Sequence, residues 1–431
     1  MRKYDSYKKS TFEWMVEIPS HWILTKNRFG FQKCSNGINE SDDTPVLSLT
    51  TKGVKVKTNL SFGKSTESYI GHQLVEKGDI VFTPRDFDQT PILSDVSNYF
   101  GCISNLYIVD KTKEGVLNHF VNYYWYGLKY SVDYFKNFSH GMRYSFNRFQ
   151  FDEIPLILPP LSEQTQIVSY LDRKTEGIDK LIQTKVRKIE LLKEYRTSII
   201  SKVVTKGLNP NVEMKESGVE WIGEIPSHWD KLPLKHFGQV TLGKMLTSED
   251  KGGNHLKPYL RSQNIQTERV NTTDVKEMWF SDSEIEKLKL ETGDLLFNEG
   301  GDVGRTCIWM NEIDECYFQN SVNRVRFETD KERYFLHLSI LYHSVGYYDS
   351  LVNRVSIPHL TKEKLESVIF IRPPISEQTQ IVSYLDEQTQ LIDKNIQTEE
   401  RKIELLKEFR QSLISEVVTG KIKVCNDEEV H

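Results

Sequence analysis

Two long stretches of the chain carry apolar residues at alternating spacings of three and four. In residues 159–207 these positions are Val168, Leu171, Ile178, Ile182, Ile189, Leu192, Ile199 and Val203. In residues 373–421 they are Val382, Leu385, Ile392, Ile396, Ile403, Leu406, Leu413 and Val417. A seam sustained over about five heptads predicts two helices of the coiled-coil type. Roughly 44 helical residues would span about 65 Å at ~1.5 Å per residue.

The ends of both predicted helices carry local signals. A Pro-Pro pair precedes each helix, and proline restrains the residue before it to extended backbone. Ser162 and Ser376 are the predicted N-caps, each followed by a glutamate placed favourably in the first turn. Gly207 and Gly420 predict the ends of the helices.

The two stretches are copies of one another. Of their 49 aligned positions, 35 are identical. A shorter repeat precedes each copy at a distance, EWMVEIPSHW at residues 13–22 and EWIGEIPSHW at residues 220–229. The inserts between these markers match only in scattered places, such as GDIVF at residues 78–82 and GDLLF at residues 293–297. A repeated frame with two different inserts indicates one platform that presents two different binding surfaces.

Strand-like segments alternate with turn residues in both inserts, and short helices are predicted at 116–136 and 331–350. The predicted fold class is therefore α+β: two similar globular domains with antiparallel-sheet character, joined by two long helices that pair as an antiparallel coiled coil, with a pseudo-two-fold internal repeat. The predicted boundaries are an N-terminal segment completing the repeat frame (1–22), insert domain 1 (23–158), helix 1 (159–207), a linker with the second opening segment (208–229), insert domain 2 (230–372), helix 2 (373–421) and a tail (422–431).

Polar residues on the seam favour the antiparallel direction. Lys185 and its counterpart Glu399 fall near the middle of their helices, where equivalent positions meet in an antiparallel pair. They would form an ion pair that sets the register. A parallel pair would instead place Arg196 against Arg410. The alternative is that Lys185 and Glu399 are ordinary solvated charges.

Composition limits the function classes. Hydrophobic residues make up 38% and charged residues 27%, as in ordinary soluble proteins, and no apolar run approaches the roughly 20 residues of a membrane span. The five scattered cysteines form no C-x-x-C pair, which indicates neither zinc nor disulfides and favours a cytoplasmic location. A net charge of −5 argues mildly against a free-standing non-specific nucleic-acid binder. It leaves open local DNA reading in which partners supply phosphate contacts.

Catalytic motifs are missing from the sequence. Gly63-Lys64-Ser65 resembles the end of a phosphate-binding loop but has Thr58 at the required upstream glycine. The Gly-rich segment at residues 300–304 leads to another strand and is interpreted as a turn. Neither H-E-x-x-H nor G-x-S-x-G occurs. We therefore predict a chain without an active site or a metal site.

Residues suited to base edges lie at corresponding places in the two inserts. Arginine can bind guanine bidentately, glutamine and asparagine can bind adenine, and lysine can meet phosphates. The DNA-binding candidates are Lys52, Arg85, Gln89, Asn105, Arg143, Arg261, Gln263, Asn298, Arg305, Gln319, Asn320 and Arg354. For each one alone, surface solvation or a turn hydrogen bond is the competing interpretation.

The chain resembles the specificity (S) subunits of type I restriction–modification systems. The similarity rests on the EWIGEIPSHW-type segments, on the helix starts PPLSEQTQIVSYLD and PPISEQTQIVSYLD, and on SIPHLTKEKLE at residues 356–366. The resemblance implies that the inserts are target recognition domains, each reading half of a bipartite asymmetric DNA site, with the paired helices as spacer and docking platform. It implies two methyltransferase (M) subunits and restriction (R) subunits as partners, adenine N6 methylation, and S-adenosylmethionine, ATP and Mg in those partners rather than in this chain.

Two other functions stay open from the residues alone. One is an enzyme with an unrecognised site, which the missing motifs disfavour. The other is a coiled-coil scaffold that binds ligands other than DNA, which the sequence excludes least well.

Overall fold

The structure is a computed structural model, and it describes residues 2–12, 15–58, 68–85, 92–132, 134–135, 145–250, 252, 255–329, 331–352 and 358–424. The chain divides into two compact units. Unit 1 comprises residues 1–186 and 400–431, and unit 2 comprises residues 187–399. Each unit therefore contains one insert domain, one end of the first long helix and the opposite end of the second.

Unit 1 begins with a β-hairpin and continues through a small α+β domain to the first long helix. Its elements are β1 (Tyr7–Phe12), β2 (Met15–Pro19), β3 (Ile23–Lys26), α1 (Asn27–Gly30), β4 (Phe31–Lys33), β5 (Leu47–Thr50), β6 (Gly53–Val56), β7 (Gln73–Val75), β8 (Ile80–Phe82), β9 (Ser94–Val96), β10 (Gly101–Ile103), β11 (Ile108–Thr112), α2 (Asn118–Val132), α3 (Arg148–Asp152), β12 (Pro155–Leu158) and α4 (Leu161–Lys206).

The largest sheet of unit 1 is antiparallel in the order β4-β11-β8-β9, and β12 pairs with β3 where the chain enters and leaves the domain. Helix α2 packs against this sheet through an aromatic core. The ring of Phe82 lies 4.9 Å from Trp125 and 5.1 Å from Phe151, and all three are fully buried. Burying each such side chain contributes about 1.5–3 kcal/mol relative to leaving it exposed.

Unit 2 repeats this plan. Its elements are β13 (Met214–Glu216), β14 (Glu224–Pro226), β15 (Asp230–Pro233), β16 (Gly238–Leu242), β17 (His255–Leu260), β18 (Lys276–Phe280), α5 (Asp282–Leu288), β19 (Leu295–Asn298), β20 (Thr306–Ile308), β21 (Tyr317–Phe318), β22 (Val322–Phe327), α6 (Glu332–Ser344), α7 (Tyr347–Ser350), α8 (Lys362–Ser367), β23 (Ile369–Arg372) and α9 (Ile375–Val418).

The order β16-β22-β19-β20 in unit 2 corresponds to β4-β11-β8-β9 in unit 1, and β15 pairs with β23 as β3 pairs with β12. A second sheet, β18-β17-β21, covers a core that includes Met278, Phe280 and Trp309. The two inserts thus share a fold although few of their residues match, because the same strand order needs only apolar residues on the buried faces.

The two long helices pair antiparallel within each unit. In unit 1, Ile167 and Leu171 near the start of α4 share a core with Leu413 and Val417 near the end of α9. In unit 2, Lys188 of α4 contacts Glu399 of α9 at 2.9 Å, and further along α4 Arg196 contacts Asp393 at 3.2 Å. As the residue number on α4 rises, the residue number of the contacting residue on α9 falls, as the antiparallel prediction requires.

The predicted caps at the helix starts were wrong. Both helices begin two residues earlier than these caps imply, at Leu161 and Ile375. The carbonyl oxygens of Pro160 and Pro374 accept the first helical hydrogen bonds, so Ser162 and Ser376 lie inside the first turn. Proline suits this boundary because it has no N–H that a helix start would leave unsatisfied. The predicted glycine stops are confirmed by φ angles of 72° at Gly207 and 75° at Gly420.

Candidate nucleic-acid interface

Four of the unit 2 candidates lie at the same end of that insert domain, where three strands finish. Arg261 follows β17, Asn298 ends β19, and Gln319 with Asn320 follows β21. The N–H of Gln319 donates to the carbonyl of Leu260 at 2.8 Å, which brings the first and third of these strand ends together. The N–H of residue 299, directly after β19, donates to the carbonyl of residue 321 at 2.9 Å. This bond brings the end of β19 to the same place. The sequence prediction thus falls on one loop cluster in unit 2.

Asn298 and Arg305 support this cluster from inside. Asn298 is fully buried; its amide, oriented to satisfy both ends, donates to the carbonyl of Ser262 at 3.3 Å and accepts from Nη2 of Arg305 at 3.2 Å. Arg305 also contacts Asp302 at 3.3 Å, and Asp302 meets Nε2 of His343 at 2.7 Å. These bonds hold the Gly-rich turn between β19 and β20, where the sequence predicted a turn.

Arg261 and Gln263 share one carboxylate. Nη2 of Arg261 donates to Oδ2 of Asp274 at 2.6 Å, Nε2 of Gln263 donates to the same oxygen at 2.9 Å, and Lys276 contacts Oδ1 at 3.0 Å. The hydrogen bond from Lys276, followed by that from Gln263, lowers the pKa of Asp274 below its usual value. A guanidinium and an amide are therefore held side by side at the surface by an ionised acid.

Gln319 and Asn320 differ from these four. Both are half-buried, and within the described ranges no side-chain hydrogen bond occupies either amide. Their backbone is fixed, because Gln319 is bonded to Leu260 and the N–H of Asn320 donates to the carbonyl of Lys244 at 2.9 Å. A free amide on a fixed backbone is the arrangement that bidentate binding to an adenine edge needs.

The unit 1 candidates are not brought together among the described residues. Lys52 is exposed at the β5–β6 turn, and Arg85 is exposed beside Ser145. Asn105 joins two loops: its Oδ1 accepts from the N–H of Gln73 at 2.9 Å, and its Nδ2 donates to the carbonyl of Gly71 at 3.0 Å. The other candidates in the chain, Gln89, Arg143 and Arg354, lie outside the described residues.

The predicted ion pair of the spacer helices has a neighbouring counterpart. Glu399 is buried on α9, and its Oε1 accepts from Nζ of Lys188, one helical turn from Lys185. Pairing of Lys185 with Glu399 stays a prediction. Arg196 and Arg410 each have an aspartate of the facing helix within their own unit, Asp393 at 3.2 Å and Asp179 at 3.3 Å.

Sequence reasoning missed two glutamines that hold the insert domains in the frame. Gln164 accepts from the N–H of Leu117 at 2.8 Å and donates to the carbonyl of Gly115 at 2.9 Å. Gln378 accepts from the N–H of Lys331 at 2.9 Å in the same way. Both are fully buried, and both bind backbone atoms, so the contact does not depend on insert side chains. Their place in the repeated SEQTQ motif was the signal.

The described residues contain neither a metal-binding cluster nor a membrane-spanning helix. Over the residues that the structure describes, no group of three or more His, Cys, Asp or Glu side chains is placed to hold a metal ion. No helix in that part of the chain combines the length and apolar character of a membrane span. Burial raises the pKa of the Cys34 thiol to about 12, so this half-buried cysteine is not an activated nucleophile.

The repeated helices, the two insert domains of one topology and the loop cluster define a two-domain binding protein built on an antiparallel helix pair. The sequence profile of the family described as "Type I restriction modification DNA specificity domain" matches residues 33–191 and 226–408. The chain therefore belongs to the type I restriction–modification specificity family.

Known proteins agree with this assignment. The specificity subunits of the type I restriction enzymes MjaX and MjaVIII of Methanocaldococcus jannaschii are 27% and 25% identical over 294 and 317 residues. These alignments cover 65% and 70% of this chain, and 62% and 71% of the relatives' lengths. A solved chain, described under complex assembly and conformational transition of the type I R-M system, matches with a TM-score of 0.69 at 14% identity over 94% of this chain and 99% of that chain. The last match supports the fold alone.

Proposed function

We propose that this chain is the non-catalytic sequence reader of a type I restriction–modification complex. Each insert domain reads one half of a bipartite, asymmetric site in double-stranded DNA. The helix pair carries the domains and docks two methyltransferase subunits, which methylate adenine at N6. Restriction subunits complete the complex for cleavage.

One observation carries the proposal: the frame repeats its contacts while the loops differ. Gln164 and Gln378 make the same bond to the backbone of different inserts. At the corresponding loop, Asn105 is bound within unit 1, whereas the side-chain amides of Gln319 and Asn320 have no hydrogen-bond partner among the described residues and lie on a fixed backbone. Two domains of one fold with different loop chemistry suit two half-sites of different sequence.

The chemistry of the reaction is assigned to the partners. S-adenosylmethionine, ATP and Mg would be bound by the methyltransferase and restriction subunits, and an adenine must leave the base stack to be methylated. This chain positions the methyltransferase subunits on the DNA site. Because the two repeat helices present nearly identical sequences, both halves offer the same type of docking surface to the same type of subunit.

The length of the repeated helices fits a spacer. Helix α4 has 46 residues, which corresponds to about 69 Å at ~1.5 Å per residue. One turn of DNA is about 34 Å, so a helix of this length can set a separation of half-sites longer than one turn. We expect the number of unread base pairs between the half-sites to depend on this length.

The proposal is tested by co-producing the chain with a methyltransferase subunit of the same family in cells without other adenine methylation. Methylated adenines are then mapped across the genome. We expect one asymmetric motif with two short specified parts and an unspecified spacer. Exchange of residues 230–372 for the insert of another family member should change only one of the two parts.

Two results would contradict the proposal. Methyl transfer by this chain without the partner would make it an enzyme. Methylation without a two-part motif, together with equal binding of the reconstituted complex to all DNA sequences, would favour a scaffold that does not read DNA.

A further inference from the structure

The two units share a hairpin but differ in what covers it. Tyr7 of β1 and Met214 of β13 both pair with the proline of the repeated IPSHW segment. The two hairpins are therefore in the same register, and the residues three positions earlier, Tyr4 and Asn211, correspond. The side chain of Tyr4 is buried, whereas Asn211 is exposed.

Tyr4 fills a site over the start of helix α4 in unit 1. Its hydroxyl donates to Oε1 of Glu163, whose other oxygen lies 2.8 Å from Nε2 of His21. The tyrosine ring packs edge-on against Trp22 at 5.6 Å. Glu163 is only 2% exposed, and Ile422 of the tail, which belongs to the same hydrophobic core as Tyr4, is 7% exposed.

The equivalent site in unit 2 has the corresponding glutamate, histidine and tryptophan, but no tyrosine among the described residues bonds to its glutamate. Glu377 lies 2.6 Å from Nε2 of His228 and accepts from Nε1 of Trp229 at 3.0 Å. Its side chain is 35% exposed, and Leu208, at the place of Ile422, is 42% exposed. A cleft of about 360 Å³ opens here. Its lining is Leu208, Asn209, Val212, Glu377, Gln380 and Ile381.

The difference follows from chain connectivity. In unit 1 two separate segments cover the site, the N-terminal residues and the tail, joined by a backbone bond from the N–H of Lys423 to the carbonyl of Arg2 at 2.9 Å. In unit 2 a single connection, residues 207–213, runs from the end of α4 to β13. One strand cannot occupy both places, so the place taken by Tyr4 in unit 1 stays open.

We propose that the cleft over Glu377 binds an extended segment of a partner protein that carries a tyrosine. The phenol hydroxyl donates to the Glu377 carboxylate, as that of Tyr4 does to Glu163, and the ring packs beside Leu208. The occupant is identified by this internal template, in which Glu163, paired with His21, already accepts from a tyrosine whose ring packs on Trp22. The inference is independent of DNA reading.

The probe is a fluorescein-labelled peptide with the sequence of residues 2–6, RKYDS, added to the full chain and followed by fluorescence anisotropy. We expect one peptide per chain, and at least about tenfold weaker binding when its tyrosine is replaced by phenylalanine, since a hydrogen bond to a charged group is lost. Leu208→Glu should abolish binding by placing a second carboxylate in the cleft. Leu391→Glu is the matched control, because Leu391 is 56% exposed on α9 and lines no part of this cleft.

A second variant separates the two sites. Glu377→Gln should weaken binding of the peptide, whereas Glu163→Gln should leave it unchanged. The proposal is overturned if the tyrosine and phenylalanine peptides bind equally, or if Leu208→Glu binds like Leu391→Glu. It is also overturned if no binding occurs up to about 1 mM peptide. Loss of binding in Glu163→Gln alone would mean that the peptide only exchanges with the N-terminal segment of unit 1.

Discussion

Replacement of Gln319 by alanine tests whether this residue reads DNA, as we propose, or only supports the fold. The Gln319 amide is half-buried and has no hydrogen-bond partner in the described part of the chain, while its backbone N–H is bonded to Leu260. Gln319→Ala thus removes a free amide and leaves the loop in place. We expect the free energy of unfolding to change by less than about 0.5 kcal/mol.

The expected cost appears in DNA binding. A good bidentate contact between an amide and an adenine edge contributes about 1–3 kcal/mol of discrimination, which is about 5- to 150-fold in affinity. Because Gln319 belongs to unit 2, this loss should be confined to one base position of one half-site. DNA in which that base is already changed should bind equally well to complexes that contain the variant and to complexes that contain the original chain.

The matched control is Asn298→Ala in the same loop cluster. Asn298 is fully buried, and its amide bonds Ser262 and Arg305. Its removal leaves buried polar groups unpaired and should lower stability by about 1–3 kcal/mol. For a unit of this size each kcal/mol lowers Tm by about 2–4 °C.

The assay pairs thermal unfolding of the free chain with competition binding of the methyltransferase-reconstituted complex to DNAs that differ at single positions. Gln319→Ala should leave Tm unchanged and remove the discrimination at one base position, whereas Asn298→Ala should lower Tm. The reasoning is refuted if Gln319→Ala lowers Tm as much as Asn298→Ala. It is also refuted if Gln319→Ala weakens all DNAs uniformly, since that indicates a phosphate contact.

Three further predictions concern stability in unit 2, measured by urea unfolding. Gln378→Ala should lower the free energy of unfolding by about 1–3 kcal/mol, because the hydrogen bond to a backbone N–H of the insert is lost. The control Gln380→Ala changes an exposed neighbour and should lower it by less than about 0.5 kcal/mol. Asp294→Ala should lower the free energy of unfolding by about 3–5 kcal/mol, because the buried Asp294 carboxylate forms an ion pair with Arg326. The control Asp282→Ala changes an exposed carboxylate on α5 and should leave the free energy of unfolding nearly unchanged. Burial lowers the pKa of His337 to about 4, so the unfolded chain binds more protons between pH 4 and 6.5 and stability rises with pH there. The chain should be about 2 kcal/mol less stable at pH 5 than at pH 7 through this group, and His337→Gln should remove that difference; an unchanged slope would contradict it.

The helices were the most predictable part of the fold. Their apolar seam and glycine stops are local features, and the structure confirms helices from Leu161 to Lys206 and from Ile375 to Val418. Their starts were predicted two residues late, because serine is a common N-cap but the carbonyl of the proline two residues before it already accepts the first helical hydrogen bond. The seam predicted the antiparallel direction and an ion pair between Lys185 and Glu399. The structure shows Glu399 in contact with Lys188, one helical turn from Lys185, and the pairing with Lys185 stays a prediction.

The sequence indicated where the unit 2 candidates lie but not the contacts of each one, and their binding to DNA stays a prediction. Their positions after strands placed the unit 2 residues in one loop cluster. Whether an amide is free depends on partners that are distant in sequence: Asn298 meets Ser262, and Asn105 meets Gly71. Those partners are set by how strands neighbour each other, which a single sequence does not specify.

The repeated sequence by itself determined that the chain has two helices of one kind, two inserts of a shared fold and no recognised catalytic motif. Periodicity and repetition fix these because each is written in residues close along the chain. Only the tertiary structure decided which amides are exposed, how Gln164 and Gln378 hold the inserts by backbone atoms, and that the site filled by Tyr4 stays open over Glu377. The physical reason is that burial and hydrogen bonding depend on segments far apart in sequence, and identical frames become different surfaces when different chain segments cover them.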